Sequence, residues 1–154
     1  MAAAEFNFDL QEVDGLAKLL EKAKLSSGDR MQLLKNIGIE VEAQTQERFD
    51  MQTNPEGKRW QDLAEKTKQY YKRRFPGHRR SILVGEGGLR DSIESQVNDW
   101  SVLVGAIKIY AATHQFGRGK IPARPYLGIS TTNAADIVTV TQQFLVKQIA
   151  GRAL

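Results

Sequence analysis

The sequence predicts an α+β protein in which helices cover one face of a small antiparallel sheet. Apolar residues recur every three or four positions near both ends of the chain, which is typical of amphipathic helices, and a central segment alternates like a half-buried strand. The 154 residues suit one domain. We therefore expect a single domain over 1–154, comprising a helical hairpin (1–50), a basic helix with a long loop arm (51–90), and a β-hairpin, proline-rich loop and C-terminal helix (91–154).

The first fifty residues predict two helices. The first extends from Asp9 to Leu25, and Ser26-Ser27-Gly28 interrupts the pattern before the second. The apolar face of the second helix comprises Met31, Leu34, Ile37, Val41, Thr45 and Phe49. Gly38 lies inside it and costs about 1 kcal/mol relative to alanine. This glycine indicates either close packing or a locally weak helix.

The middle of the chain is mostly turns and loops. MQTNPEGKRW (51–60) has the Asn-Pro and glycine chemistry of a turn, and a short polar helix is expected from Leu63 to Arg74. The glycine- and proline-rich stretch that begins at Phe75 predicts a long loop or arm.

The final third predicts strands followed by a helix. Ser92–Val97 alternates and Trp100–Val104 is apolar, so the two form a β-hairpin around Asn98-Asp99. Ile107–Phe116 is expected to start as a strand and finish as a short helix. Two prolines and three glycines exclude regular structure over 114–128.

The last helix is expected from Asn133, its predicted N-cap, to Ala150. Its apolar face comprises Ile137, Val140, Phe144, Leu145 and Ile149. Residues 1–8 and 151–154 are expected to be loosely structured.

The residue inventory offers no catalytic, metal or cofactor site. There are no cysteines, and the two histidines, His78 and His114, lie far apart with no carboxylate at ligand spacing. GEGGLR (85–90) lacks the lysine and serine of a phosphate-binding loop, and no nucleophile elbow is present. The sequence also contains no secretory signal or membrane-spanning run. We expect a soluble protein that is not an enzyme and needs no cofactor.

Charge is unevenly distributed along the chain. Residues 1–50 contain ten acidic and six basic residues, 51–90 contain four and ten, and 91–154 contain four and six. An acidic segment followed by a basic one suits a subunit whose neighbour presents the opposite charge. It also suits weak attraction to nucleic acid.

The segment YYKRRFPGHRR (70–80) alternates cations with aromatic rings. Its predicted docking or DNA-facing residues are Lys72, Arg73, Arg74, Arg79 and Arg80. Cations and rings together are typical of single-strand binders, whereas cations at a helix end also complement the helix dipole. A third interpretation is an arm that docks on an acidic surface of a neighbouring subunit. The net charge of +4 is modest, which favours the last two over a stand-alone nucleic-acid-binding module.

IPARPYLG (121–128) is a stiff segment with large apolar groups. Pro122 and Pro125 force extended backbone on the residues before them, which lowers the entropy cost of docking. Arg124, which lies between them, can bind a carboxylate through two hydrogen bonds. The segment can equally be a well-packed connector into the last helix.

Four blocks in one order resemble the phage virion morphogenesis family, which includes tail completion proteins of Mu-like and related contractile-tailed phages. The blocks are PEGKRWQDL (55–63), ILVGEGGLRDSI (82–93), VLVGAIKIYAATHQFG (102–117) and IPARPYLGIS (121–130). The resemblance covers about Phe49 to Ser130. Glu-Gly-Gly replaces the usual Thr-Gly pair in the second block, which affects local turn geometry.

The resemblance implies a structural virion protein that completes or terminates the tail and takes part in head–tail joining at the neck. It implies a homo-oligomeric ring, expected to be hexameric, located in the virion tail or neck and in the host cytoplasm during assembly. The implied partners are the tail tube or sheath and neck or connector proteins, with non-specific contact to genomic DNA in the channel and no membrane contact. The family motif places the subunit or partner interface on Leu89, Arg90, Ile93, His114, Gln115, Phe116, Gly117, Ile121, Pro122, Arg124, Pro125, Tyr126 and Leu127.

Overall fold

A computed structural model describes residues 4–8, 24–77, 81–84, 88–98 and 100–152. Its α+β fold confirms the predicted class. The described elements are β1 (Ala4–Phe8), α1 (Ser27–Met51), α2 (Glu65–Arg74), a 3₁₀ turn (Arg90–Ser92), β2 (Ile93–Val97), β3 (Val102–Ala106), α3 (Ala111–Phe116) and α4 (Thr131–Arg152). The helix predicted over 9–25 falls almost entirely on residues 9–23, which lie outside the described part of the chain.

The sheet contains one strand more than the sequence predicts. The strand order is β1-β3-β2, so β3 lies in the middle of the sheet. It pairs with β2 in the predicted hairpin and with β1 on its other side. The expectation that residues 1–8 are loose is therefore wrong for Ala4–Phe8. The predicted strand at Trp100 begins two residues later, at Val102, because Trp100 belongs to the hairpin turn.

Two compact units divide the chain. Unit 1 comprises Met1–Ala4, Thr45–Ile93 and Ala106–Gly128, and unit 2 comprises Glu5–Gln44, Glu94–Gly105 and Ile129–Leu154. Each unit is assembled from three separate stretches of sequence.

In unit 2, α1 packs closely on the hairpin. Leu34 and Ile37 are fully buried on the face that the spacing predicts. A Cβ added at Gly38 would lie 2.7 Å from Ser95 Oγ and 3.1 Å from Val102 Cγ2. The glycine therefore allows close packing between helix and hairpin, which confirms one of its two interpretations.

Both long helices begin at a serine. Ser26 Oγ accepts a hydrogen bond from Asp29 N at 3.1 Å, and Ser130 Oγ accepts one from Asn133 N at 3.2 Å. Asn133 Oδ1 in turn accepts from Ser130 N, which completes a reciprocal pair of capping bonds. The prediction of Asn133 as N-cap is therefore wrong by three residues, since Ser130 is the cap.

Unit 1 has an aromatic core. The Phe49 ring lies 5.5 Å from Trp60 and 5.2 Å from Tyr126, between ring centroids. Trp60 Nε1 donates a 2.8 Å hydrogen bond to Pro125 O. These contacts fix the proline-rich loop against the end of α1. The chain leaves the sheet at Ala106, so the expected strand at Ile107 is absent and only the predicted short helix, α3, follows.

Candidate functional site

Unit 1 contains an open cleft of about 770 Å³. The described residues that line it come from the start and the length of α2, the stretches 81–84 and 88–89, the helix α3 with Tyr110, and the loop 120–124. Its walls are largely aromatic and aliphatic, and none of the described lining residues is acidic. The volume falls in the range of sites that hold a small ligand or a large side chain.

The cleft brings together two sets of residues that the sequence singles out separately. Leu89, His114 and Arg124 come from the predicted interface, and Tyr70 and Tyr71 come from the predicted basic arm. Their meeting depends on contacts between distant stretches of chain. Sequence spacing alone does not predict it.

Arg124 fixes the floor of the cleft. Its side chain is only 5% exposed, and it donates from Nε to Gln61 O at 2.7 Å and from Nη2 to Asp62 O at 3.1 Å. Arg124 therefore donates two hydrogen bonds, as predicted, but the acceptors are main-chain carbonyls rather than a carboxylate. Burial lowers the pKa of Arg124, and the Asp62 charge opposes that shift.

Gln115 holds the extended backbone after Arg124. Its Oε1 accepts from Tyr126 N at 2.9 Å and from Leu127 N at 3.0 Å, and its Nε2 donates to Leu127 O at 3.0 Å. One side chain thus supplies the hydrogen bonds that a neighbouring strand would otherwise give this segment. Gln115 therefore holds the backbone of Tyr126 and Leu127 in place inside unit 1.

Tyr126 and Arg48 complete the support of the loop. Tyr126 is fully buried, its hydroxyl donates to Ala111 O at 3.1 Å, and burial raises its pKa. Arg48 Nη1 donates to Tyr126 O at 2.7 Å, and burial lowers the pKa of Arg48. No pattern in the sequence predicts this buried arginine, which lies among charged neighbours at the end of α1.

The predicted interface residues divide by burial. Five are buried inside the protein: Leu89, Ile93, Arg124, Tyr126 and Leu127. Phe116 is 70% exposed and Ile121 is 42% exposed. The remaining positions, partly exposed, are Arg90, His114, Gln115, Gly117, Pro122 and Pro125. A buried side chain acts by packing and by shaping the surface, so direct contact with a partner stays a prediction for the exposed members.

Two partly exposed positions have roles in unit 1. Arg90 Nη2 lies 3.1 Å from Asp50 Oδ2, an ion pair that ties the 3₁₀ turn to the end of α1. Gly117 has a φ of +77°, and a Cβ there would lie 2.8 Å from Ala123 N. Glycine is therefore required where the loop folds back on itself.

His114 lines the cleft, and its ring nitrogen Nδ1 is buried. No hydrogen-bond partner of its buried Nδ1 is present among the described residues. Burial lowers its pKa, and the nearby Arg124 charge adds to this effect, so the neutral imidazole is favoured. A neutral histidine with a free nitrogen can accept or donate one hydrogen bond, depending on its tautomer.

The basic arm is a helix that buries none of its residues. Lys72, Arg73 and Arg74 occupy the exposed last turn of α2, where cations complement the helix dipole. No side chain caps the first turn of α2. Arg79 and Arg80, like His78, lie outside the described residues.

The charge division of the chain coincides with the two units. Unit 1 contains fifteen basic and seven acidic residues, whereas unit 2 contains seven basic and eleven acidic residues. Their net charges are therefore +8 and −4. Head-to-tail docking between copies needs two different surfaces that match each other, and units of opposite net charge suit such surfaces.

Among the described residues, no three His, Asp or Glu side chains come close enough together to hold a metal ion. No helix in the described ranges has the length and apolarity needed to cross a bilayer.

Comparison with known proteins gives consistent matches. The sequence model of a family described as the phage virion morphogenesis family matches residues 9–146. Mu-like prophage FluMu G protein 1 of Haemophilus influenzae is 29% identical over 143 residues, covering 92% of this chain and 94% of that protein. FluMu G protein 2 of the same organism is 28% identical, covering 88% and 93%. The putative capsid assembly protein G of Escherichia phage Mu is 33% identical over 104 residues, covering 60% and 65%. No solved structure matches.

Proposed function

The chain belongs to the phage virion morphogenesis family, and on that premise we propose that it is a structural protein that completes the tail and joins it to the head. In this proposal it acts without catalysis, as a ring of subunits at the neck. Its partners are further copies of itself, the tail tube or sheath, and neck or connector proteins.

The observation that supports assembly is the agreement between charge and architecture. A ring needs two different surfaces on each subunit that match one another. Unit 1 is strongly basic and unit 2 is acidic, so unit 1 of one copy can dock on unit 2 of the next.

Helix α2 supplies the exposed cations for this contact. A ten-residue helix with no buried residue has little intrinsic stability, because short helices in water are marginal. A partner that covers α2 would stabilise it. An acidic protein surface does so by burying Tyr70 and pairing the cations, and both effects favour association.

The test compares two variants, each with three basic residues replaced by glutamate, for which the proposal predicts opposite effects on self-association. Replacing Lys72, Arg73 and Arg74 with glutamate removes the basic side of the contact and is expected to abolish self-association and infectivity. The matched control replaces Lys24, Lys35 and Lys147, exposed cations of unit 2, with glutamate. It changes the net charge equally but makes the acidic unit more acidic, so association is expected to persist. Equal association of the two variants would contradict the proposal.

Electron microscopy of lysates separates the tail role from a second candidate, a role in building the capsid. The name of the phage Mu relative, putative capsid assembly protein G, supports that second candidate. In a lysogen that lacks this chain, the tail proposal predicts filled heads beside unjoined tails. Absence of heads would contradict it and favour the capsid role.

Binding of DNA by the isolated protein tests the remaining alternative, a nucleic-acid-binding module that uses the basic arm. The assembly proposal predicts weak binding to free DNA. A monomer whose DNA affinity falls steeply and linearly with the logarithm of salt concentration would favour the alternative.

A further inference from the structure

The outward face of α4, the last helix of unit 2, carries no charge along its middle. The residues on the opposite face are buried: Ile137, Thr141, Phe144 and Leu145. A helix face that meets water normally carries charged side chains. The exposed face of α4 instead presents a line of uncharged residues, here called the outer row: Ala135, Thr139, Gln142, Val146 and Ile149.

The spacing of the outer row is that of a surface on which a second helix packs. Its members follow one another by four, three, four and three residues, which keeps them in one line along the helix. Val146 and Ile149, the two large apolar members, are 65% and 69% exposed. A continuous uncharged line with large exposed apolar groups indicates an interaction surface.

The outer row is complementary to itself in the antiparallel direction. Gln142 is its middle member, so a twofold axis at this residue places Ala135 opposite Ile149 and Thr139 opposite Val146. Each smaller side chain then faces a larger one, which fills the space between two helices evenly. At the axis the two Gln142 amides meet, and each can donate a hydrogen bond to the carbonyl oxygen of the other.

The charges beside the outer row agree with the same arrangement. Asp136 and Lys147 are exposed on one flank of the row, six residues before Gln142 and five residues after it. In an antiparallel pair these flanks face each other, and Asp136 of one copy lies within about 1.5 Å of the level of Lys147 of the other. An exposed ion pair adds little affinity, but here it selects the antiparallel direction.

We propose that α4 pairs with α4 of a second copy, antiparallel and around a twofold axis at Gln142. Both copies use the same residues, so this contact differs from head-to-tail docking, which joins two different surfaces. The inference goes beyond the proposed function, because twofold contacts of this kind pair two closed rings face to face. One helix from each copy makes a small and weak contact, which the several contacts between two rings strengthen.

Cysteine cross-linking tests the pairing, because the chain has no cysteine of its own. Gln142→Cys places two thiols at the axis, and mild oxidation is expected to trap a disulfide-linked dimer. Thr139→Cys and Val146→Cys are the matched variants. In the antiparallel pair the two copies of these positions are separated along the helix by about 9 Å and about 12 Å, whereas a disulfide requires Cα atoms within about 7 Å. Neither variant is expected to cross-link with itself.

The mixture of Thr139→Cys with Val146→Cys is the decisive sample. Position 139 of one copy faces position 146 of the other, so mixing is expected to give at least about tenfold more disulfide-linked dimer than either variant alone. Electrophoresis without reductant measures the yield, and mass spectrometry with one variant isotopically labelled identifies the composition. Cross-linking of each variant with itself and no gain on mixing would indicate a parallel pair and overturn the inference.

A Gln142→Cys variant that stays monomeric on oxidation would also overturn it. Its reaction with a maleimide then identifies what covers α4 instead. A reactive thiol would leave the face open to a different protein, and an unreactive thiol would mean that another part of the same chain covers it.

Gln142→Lys tests the contact without a cross-link. Two ammonium groups would face each other at the axis, so paired rings are expected to separate into single rings and the mass in light scattering to halve. Gln32→Lys adds the same charge at an exposed glutamine of α1 and is expected to leave the mass unchanged. Circular dichroism verifies that each variant folds. Equal masses of Gln142→Lys and Gln32→Lys would contradict the pairing.

The outcomes separate this inference from the proposed function. Replacing the α2 cations with glutamate removes head-to-tail docking and leaves α4 intact. That variant is expected to have the mass of a monomer before oxidation, and with Gln142→Cys added it is still expected to be trapped as a dimer. If Gln142→Cys does not cross-link while the α2 reversal disperses the oligomer, the α4 pairing is wrong and head-to-tail docking stands.

Discussion

Replacing Arg124 tests whether the proline-rich loop is held from inside unit 1. The guanidinium is buried and donates to two carbonyls, Gln61 O and Asp62 O. The Asp62 carboxylate is itself exposed and pairs with Lys68 at 2.6 Å, so it does not neutralise the buried cation. Arg124→Met removes the charge and both hydrogen bonds and leaves the apolar volume of the side chain roughly in place.

The magnitude follows from the two lost bonds. A hydrogen bond to a charged group contributes about 1.5–3 kcal/mol, and removing the charge returns part of its desolvation cost. We expect Arg124→Met to lower the free energy of unfolding by about 2–4 kcal/mol. Arg124→Lys keeps the charge without the planar fork, so about half of that loss is expected.

Urea unfolding followed by tryptophan fluorescence measures these losses, since Trp60 is bonded to the same loop. The matched control is Arg118→Met, an exposed position of the loop, which is expected to change stability by less than about 0.5 kcal/mol. Equal stability of Arg124→Met and Arg118→Met would refute the role of the buried guanidinium.

A second measurement is independent of stability. The charge of Arg124 contributes to lowering the pKa of His114, so Arg124→Met is expected to raise that pKa and Arg124→Lys to leave it nearly unchanged. Titration of the imidazole by NMR measures both. An unchanged pKa in the methionine variant would show that the two groups do not interact.

Three further predictions concern packing, pH and the loop. Gly38→Ala is expected to lose about 1–2 kcal/mol in urea unfolding despite its better helix propensity, because the new Cβ meets Ser95 Oγ at 2.7 Å. Gly28→Ala is the control and is expected to lose nothing, because its Cβ would meet only Ser26 Oγ, at an ordinary contact distance of 3.9 Å. The pKa of His114 is lowered in the folded state, so the unfolded chain binds more protons at acidic pH. The free energy of unfolding is therefore expected to fall as pH drops below about 6.5. His114→Gln is expected to remove that part of the pH dependence. Tyr126→Phe removes a buried hydrogen bond and is expected to cost about 1 kcal/mol by thermal unfolding, and a neutral result would mean that the carbonyl it leaves finds another partner.

The sequence predicted the elements that carry a local pattern. The three-to-four spacing of Leu34, Ile37 and Val41 placed the buried face of α1 correctly, and the alternation around Ile93 placed the hairpin. Phe6 and Phe8 alternate with polar residues in β1, so a local signal for that strand is also present in the sequence.

The cleft and the support of its loop could not be predicted in the same way. Gln115 bonds to residues eleven and twelve positions away, and Arg48 reaches Tyr126 across 78 positions. No periodicity reports such pairs, because they depend on which stretches the fold brings together. Tyr126, which the resemblance places in a partner interface, is fully buried in the core of unit 1.

The measurement that tests the central claim most directly is the mass of the purified wild-type protein by light scattering at low and moderate salt. Docking of a basic unit on an acidic one predicts a discrete oligomer at low salt that dissociates as salt screens the charges. A monomer at about 1 mM protein and low salt, or an oligomer whose mass does not respond to salt, would contradict charge-driven assembly.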